Sequence, residues 1–110
     1  MTNEPTRITA PLLDVLETFL NAGTEELHGW AIIKLSQRGG PTVYKILERL
    51  VALGWITARW EDQPSEANKP RRRYYRLTGE GASSARALIA ERRPERTHVS
   101  LRPVLGGGAL

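Results

Sequence analysis

The residues of this sequence that are best suited to chemistry are cations in two short stretches. The first stretch is the densest positive charge in the chain and contains Lys69, Arg71, Arg72, Arg73 and Arg76. The second contains Thr42, Lys45 and Arg49, whose spacing of three and four residues would place them on one face of a helix. Cations without a neighbouring nucleophile or base bind phosphates and other anions. The two stretches indicate either a binding surface for a polyanion or, as the alternative, a solvated helix face and a solubilising edge hairpin.

No group of residues has the spacing of a catalytic or metal site. The chain contains no cysteine, which excludes disulfides and thiolate chemistry. His28 and His98 are far apart in sequence, and neither belongs to a His/Asp/Glu cluster at metal-ligand spacing. Ser83 and Ser84 lie in an alanine-rich segment without a candidate base. We therefore expect a protein that is not an enzyme and that has no cofactor and no metal.

The second cationic stretch belongs to a segment with the pattern of an amphipathic helix at about 41–53. Four apolar residues recur at the spacing of one buried face, namely Val43, Ile46, Leu47 and Leu50. Pro41 suits the first helical turn, and Gly54 suits the left-handed residue that ends a helix. Gly39 and Gly40 predict a tight turn before the helix. A short helix that is apolar behind and basic in front is typical of a major-groove reader.

Two further helices are predicted before this turn. The first covers about 10–21, with Thr9 as its cap and Gly23 as its stop. After a linker that could include a very short strand at Leu27, the second covers about 28–36. Its predicted core residues are Ala31 and Leu35, with Trp30 and Ile32 as further candidates. Helix, tight turn and helix in this proportion form a helix-turn-helix unit.

A β-hairpin is predicted directly after the 41–53 helix. Residues 55–60 and 72–77 have the β-branched and aromatic content of strands, and a polar loop joins them. Alternation places Arg72 and Arg76 on one face and Arg73 on the other. Trp55, like Trp30, is expected in the core, and Trp60 is expected to be partly exposed. A hairpin in this place is a wing.

The remaining sequence completes one small domain. Thr78 can cap a last helix at about 79–93, with Glu80 in its first turn. The predicted organisation is a flexible N-terminus at 1–8, a winged-helix domain at 9–93, and a disordered tail at 94–110. The chain has 110 residues, of which 40% are hydrophobic, and it has neither a membrane-length apolar run nor a signal peptide. We expect an α+β winged helix-turn-helix protein in the cytoplasm.

These elements together resemble the PadR family of bacterial winged-helix transcriptional regulators. The resemblance covers about residues 11–92. The residues that carry it are Leu27-His28-Gly29-Trp30, Thr42-Val43-Tyr44, Leu47-Glu48-Arg49-Leu50, Gly54-Trp55-Ile56, and Pro70 to Thr78 with Gly81. The sequence departs from the family at Lys45, where proline is common, and its turn before the third helix is shorter than in many members. The short region after the wing is similar to the family's small subgroup.

The resemblance and the charge pattern together predict a sequence-specific DNA-binding regulator, with repression as the expected activity. The net charge of +4 suits an acidic partner. The residues expected to contact double-stranded DNA are Pro41, Thr42, Tyr44, Lys45, Arg49, Lys69, Arg71, Arg72, Arg73 and Arg76. The resemblance implies that the Tyr44 hydroxyl meets a backbone phosphate. Two alternatives stay open: a winged helix for protein–protein contact, and a non-specific architectural DNA-binding protein.

A homodimer on a palindromic operator is expected, because one such domain makes few base contacts. The residues expected at the dimer interface are Leu12, Leu16, Ala85, Leu88 and Ile89, unless the last helix only covers the core of its own domain. Relatives bind flat aromatic molecules between subunits. The last predicted helix contains no aromatic residue, so the sequence leaves a small-molecule effector open without supporting it.

Overall fold

A computed structural model of the chain describes residue 5, residues 7–62 and residues 69–95. In chain order the elements are α1 (Ala10–Ala22), β1 (Leu27–His28), α2 (Gly29–Ser36), α3 (Gly40–Leu53), β2 (Ile56–Trp60), β3 (Arg73–Leu77) and α4 (Gly79–Arg92). This is the expected α+β winged helix. Of the predicted flexible N-terminus at 1–8, residues 5, 7 and 8 are described, and Ile8 is partly buried against the core. Residues 94 and 95 of the predicted tail at 94–110 are also described. The rest of both segments and the loop segment 63–68 lie outside the described residues.

The strands form an antiparallel sheet in the order β1-β3-β2. The wing pairs Ile56 with Leu77 and Trp60 with Arg73, so the residues that alternation places on one face of each strand share one face of the sheet. The short strand at Leu27 is confirmed: it pairs with Tyr75 and adds β1 to the edge of the wing. The sheet therefore ties the entry to α2 to the hairpin that follows α3.

The ends of α1 and α3 follow local chemistry. The Thr9 side chain accepts a hydrogen bond from the Leu12 amide, and Gly23 has a positive φ after α1. Gly54 ends α3 in the left-handed conformation. In the turn between α2 and α3, however, the left-handed residue is Gln37 with φ 59°, and Gly39 is extended. The left-handed residue of this turn is therefore Gln37 and not a glycine.

The face of α2 differs from the prediction. Ile32 is fully buried, whereas Trp30 is 61% exposed and Leu35 is 64% exposed. Predicted core positions for Trp30 and Leu35 are therefore wrong. Apolar residues occur on several sides of this eight-residue helix, so periodicity does not determine which side packs on α1. Trp55 is fully buried and Trp60 is exposed, as expected.

The first turn of α4 packs against the backbone that joins α3 to β2. The Thr78 hydroxyl donates to the Gly54 carbonyl at 2.8 Å and accepts from the Gly81 amide at 2.9 Å. The Thr78 amide also donates to the Trp55 carbonyl at 3.0 Å. A side chain at Gly81 would overlap the Trp55 carbonyl. The chain therefore needs glycine at this close approach.

The five residues predicted at a dimer interface lie inside the single chain. Those residues are Leu12, Leu16, Ala85, Leu88 and Ile89, and all of them are buried in one core. The physical reason is that α1 and α4 pack directly on each other and use their apolar faces to do so. The burial of these side chains agrees with the alternative, in which α4 covers the core of its own domain.

Candidate nucleic-acid interface

The outer face of α3 presents the polar residues that the sequence predicted there. Thr42, Lys45 and Arg49 are exposed, whereas Val43 and Leu50 on the opposite face are fully buried. This burial fixes the rotation of the helix about its axis. The polar face is consequently directed away from the core and can enter a groove of DNA.

An open groove of about 600 Å³ lies between α3 and the wing. On the helix side it is lined by Tyr44, Lys45 and Glu48. On the wing side it is lined by Trp60, Arg71, Arg72, Arg73 and Tyr75, and the start of α2 contributes His28, Gly29 and Trp30 at one end. The structure thus brings half of the predicted DNA-binding residues, from two separate elements, to one surface.

Arg73 lies on aromatic rings in this groove. Its guanidinium carbon is 5.2 Å from the centroid of the Trp60 ring and 5.8 Å from that of Tyr75. Both distances are within the range of cation–π attraction. Burial raises the pKa of the Tyr75 hydroxyl, so this ring stays neutral beside the cation. The contacts hold Arg73 and Trp60 in place on the inner face of the wing.

Tyr44 packs against the start of α2. A β-carbon added to Gly29 would lie 2.5 Å from the Tyr44 hydroxyl oxygen, so the absence of a side chain at Gly29 lets the ring approach. Tyr44 remains 48% exposed. Next to it, His28 caps α2, with its Nδ1 atom accepting from the Ala31 amide at 3.3 Å. The start of α2 therefore supports the position of Tyr44 at the groove.

The opposite face of the wing has different partners. Arg76 is paired across the sheet with Thr57 and lies on the same face as Arg59. Arg59 forms a two-bonded ion pair with Glu26, with both N–O distances at 2.7 Å. Alternation predicted Arg72 on this face as well, but Arg72 precedes β3 and lines the groove with Arg73. The strand alternation does not extend to a residue outside the strand.

The other predicted contact residues do not line the groove. Pro41, Thr42 and Arg49 are exposed on α3, and Lys69 is exposed before the wing strand. Their positions on α3 and the wing place them outside the groove itself. They remain predictions as DNA contacts.

Sequence reasoning missed several residues of the groove. Trp30 is predicted in the core, Trp60 is predicted only to be partly exposed, and Glu48 has no predicted contact. The sequence position of Glu48 could have placed it beside the predicted contacts. Glu48 is one turn after Tyr44 and Lys45 on α3, so these residues share a side of the helix. Only the packing of β1 beside the wing reveals that His28 and Trp30 reach the same place.

Asp14 is the centre of a network of ion pairs. Asp14 on α1 accepts from Arg38, in the turn before α3, at 2.8 Å and from Arg93, after α4, at 2.9 Å. Burial by itself would raise the pKa of Asp14, but the hydrogen bonds and charges of Arg93 and Arg38 outweigh it and lower that pKa. The network joins α1, the turn that enters α3, and the end of α4.

Residues 7–62 and 69–95 contain no group of three His, Asp or Glu side chains that could hold a metal ion. No described helix has both the length and the apolar character that a membrane crossing requires.

The fold is shared with solved regulators. A MarR family transcriptional regulator from Silicibacter pomeroyi is 23% identical with a TM-score of 0.59, covering 84% of this chain and 60% of its own. Bacillus subtilis PadR in complex with operator DNA is 20% identical with a TM-score of 0.60, covering 74% of this chain and 48% of its own. MepR, a transcription regulator of the Staphylococcus aureus multidrug efflux pump MepA, is 27% identical with a TM-score of 0.61.

The MepR alignment covers 86% of this chain and 65% of MepR, so the chain spans between about half and two thirds of these three structures. A search of curated proteins gave no match. The sequence model of the transcriptional regulator PadR-like family matches residues 19–87. This match includes α2, α3, the wing and the first part of α4. Since it covers more than half of the chain, the protein belongs to the PadR-like family of transcriptional regulators.

Proposed function

We propose that this protein binds double-stranded DNA in a sequence-specific way and represses transcription as a homodimer on a palindromic operator. The observation that carries the proposal is the common groove of α3 and the wing, with Lys45 on one side and Arg71 and Arg72 on the other. Residues on one surface can meet one duplex at the same time. Family membership supports the regulatory role, and the DNA complex of B. subtilis PadR supports the kind of partner.

In this proposal α3 enters the major groove. Thr42 and Lys45 lie in the first half of α3, where a recognition helix usually meets base edges. Lysine and arginine donate to the O6 and N7 acceptors of guanine, so Lys45 and Arg49 are the candidates for base discrimination. Tyr44 would donate its hydroxyl to a phosphate, which positions the helix without reading sequence.

The wing supplies affinity that does not depend on sequence. Arg71 and Arg72 are exposed, and each phosphate that they neutralise releases a condensed counterion from DNA. Lys69 and Arg76 would add contacts from outside the groove. We place the protein in the bacterial cytoplasm, where its operator would be.

The test is a salt titration of binding to random DNA and to a sequence selected from a random library. The proposal expects a steep fall in affinity with salt for both duplexes and a tighter Kd for the selected one. A salt slope without sequence preference would instead indicate an architectural DNA-binding protein. No binding to either duplex at low salt would favour a protein–protein interaction module.

The matched control is Arg86 on α4. It is exposed and does not line the groove, so Arg86→Ala removes the same charge as Arg71→Ala in a different place. If the wing contacts DNA, Arg71→Ala should weaken DNA binding more than Arg86→Ala does. Equal losses would mean that only net charge matters, and the groove would then not be the interface.

A further inference from the structure

The groove between α3 and the wing also has the chemistry of a small-molecule site. Its volume of about 600 Å³ falls within the range of about 300–1,000 Å³ that ligand pockets occupy. Trp30, Tyr44 and Trp60 on its walls are all exposed, although large aromatic side chains gain free energy by burial. Lys34 lies over one face of the Trp30 ring, with its Nζ 4.5 Å from the centroid, and Arg73 lies over one face of the Trp60 ring. A flat ligand would stack on the other face of either ring.

The charged groups of the groove indicate which chemical class of ligand it would bind. Lys45, Arg71 and Arg72 form no side-chain ion pair within the described residues, and neither does Glu48. Arginine binds phosphate through two parallel hydrogen bonds, and several cations suit a group with more than one negative charge. Glu48 is exposed, and its carboxylate can accept hydrogen bonds from N–H groups of a ligand, which a simple aromatic acid does not have.

We propose that the groove binds a nucleoside phosphate. The base stacks on the aromatic wall at Trp60, which Arg73 holds in place at 5.2 Å. The phosphate lies at Arg71 and Arg72, and Glu48 accepts from the N–H groups of the base. Guanine fits best, because its N1–H and N2–H donors lie side by side and match the two oxygens of one carboxylate.

The groove is also the surface that the proposed function assigns to DNA. A nucleotide in it would therefore compete with the operator and lower its occupancy. This consequence rests on the proposed function, whereas nucleotide binding itself does not.

Isothermal titration of the full chain with GMP tests the site, with guanosine and inorganic phosphate as the two halves of the ligand. Saturable 1:1 binding is expected for GMP, and each half should bind about tenfold more weakly or worse because it loses one set of contacts. Absence of saturable GMP binding, or inorganic phosphate that binds as well as GMP, would overturn the proposal.

Three variants locate the binding. Trp60→Leu and Arg72→Gln should each raise the Kd for GMP about fivefold or more, and Arg86→Gln on α4 should leave it unchanged. Trp60 and Arg72 are exposed, so neither change is expected to unfold the protein, and thermal melts verify this. Equal Kd values for all three variants would show that GMP binds elsewhere.

Competition separates this inference from the proposed function. GMP at ten times its own Kd should raise the apparent Kd for the selected duplex about elevenfold, the factor for exclusive binding of two ligands. If GMP binds and the protein binds no DNA, the proposed function fails and the nucleotide site stands. If DNA binds and GMP does not, only the nucleotide site fails. Simultaneous binding of both would overturn the shared groove.

Discussion

Arg73 differs from its neighbours Arg71 and Arg72, although the three are consecutive. Its guanidinium lies on the rings of Trp60 and Tyr75, whereas no ring contact is found for Arg71 or Arg72 among the described residues. Arg73 is therefore held by aromatic rings, and in the proposed function phosphate contacts would fall mainly to Arg71 and Arg72. Three consecutive arginines thus have different surroundings once the wing is folded, and we expect different roles for them.

The proposed roles of the α3 and wing cations can be separated by substitution. Lys45→Ala or Arg49→Ala should reduce the ratio of specific to random DNA affinity, by about 1–3 kcal/mol if the side chain contacts a base in two places. Arg71→Ala should weaken both affinities alike and lower the salt slope by about 1. Fluorescence anisotropy at several salt concentrations measures both effects. The same loss of discrimination in all three variants would contradict this division of roles.

Gly81 and Gly79 lie in the first turn of α4 but have different surroundings, so one substitution can serve as the control for the other. A β-carbon at Gly81 would collide with the backbone of Trp55, but one at Gly79 would meet nothing within 4 Å. Backbone cannot move aside as a side chain can, so Gly81→Ala should lower the free energy of unfolding by about 2–3 kcal/mol. Gly79→Ala should change it by less than about 1 kcal/mol. Urea denaturation measures both, and equal stability of the two variants would contradict the packing.

At the level of elements, the long helices were the most predictable. Thr9, Gly23 and Gly54 are local signals, and the observed ends of α1 and α3 lie within about one residue of those predicted from them. The face of α2 was not predictable, because Trp30 and Ile32 are both large hydrophobic residues and only tertiary packing decides that Ile32 is buried. The cations of the groove were predictable from the sequence. The contribution of the start of α2 was not, because β1 approaches the wing through long-range strand pairing.

The Asp14 network makes the connection of α1 to the recognition turn sensitive to pH. Because the pKa of Asp14 is lowered in the folded state, its ion pairs contribute fully above its ordinary value of 3.8 and are lost as the pH falls through the folded value. Asp14→Asn should therefore cost about 1–3 kcal/mol of stability at pH 7, and this difference should shrink below about pH 4.

Chemical denaturation from pH 3 to pH 7 measures the effect of Asp14. Glu91→Gln is the control, because Glu91 is exposed and its pair with Arg92 is long, at 3.6 Å. Exposed pairs of this kind contribute about 0–1 kcal/mol. A difference between Asp14→Asn and the wild type that stays constant over the whole pH range would show that the lost interaction is not ionic.

On the scale of the whole molecule, the proposed binding groove and the contact between α1 and α4 use different residues. The groove residues belong to α3, the wing and the start of α2, whereas α1 and α4 use their apolar faces for the common core. Trp30 and Leu35 are the large apolar residues that α2 leaves exposed. In the proposed homodimer we therefore expect the partner to contact surface other than the buried faces of α1 and α4.

The homodimer proposal makes a geometric prediction about the operator. Two copies related by a two-fold axis would place two α3 helices in successive major grooves, so selected DNA should contain an inverted repeat with half-site centres about 10 bp apart. Inserting about 5 bp between the half-sites turns them to opposite sides of the duplex, and affinity should fall at least to that of a single half-site. Light scattering of the full chain should give twice the mass of one chain. A monomer mass together with equal affinity for spaced and unspaced repeats would mean that one domain binds alone, and specificity would then have to come from the contacts of a single α3 and its wing.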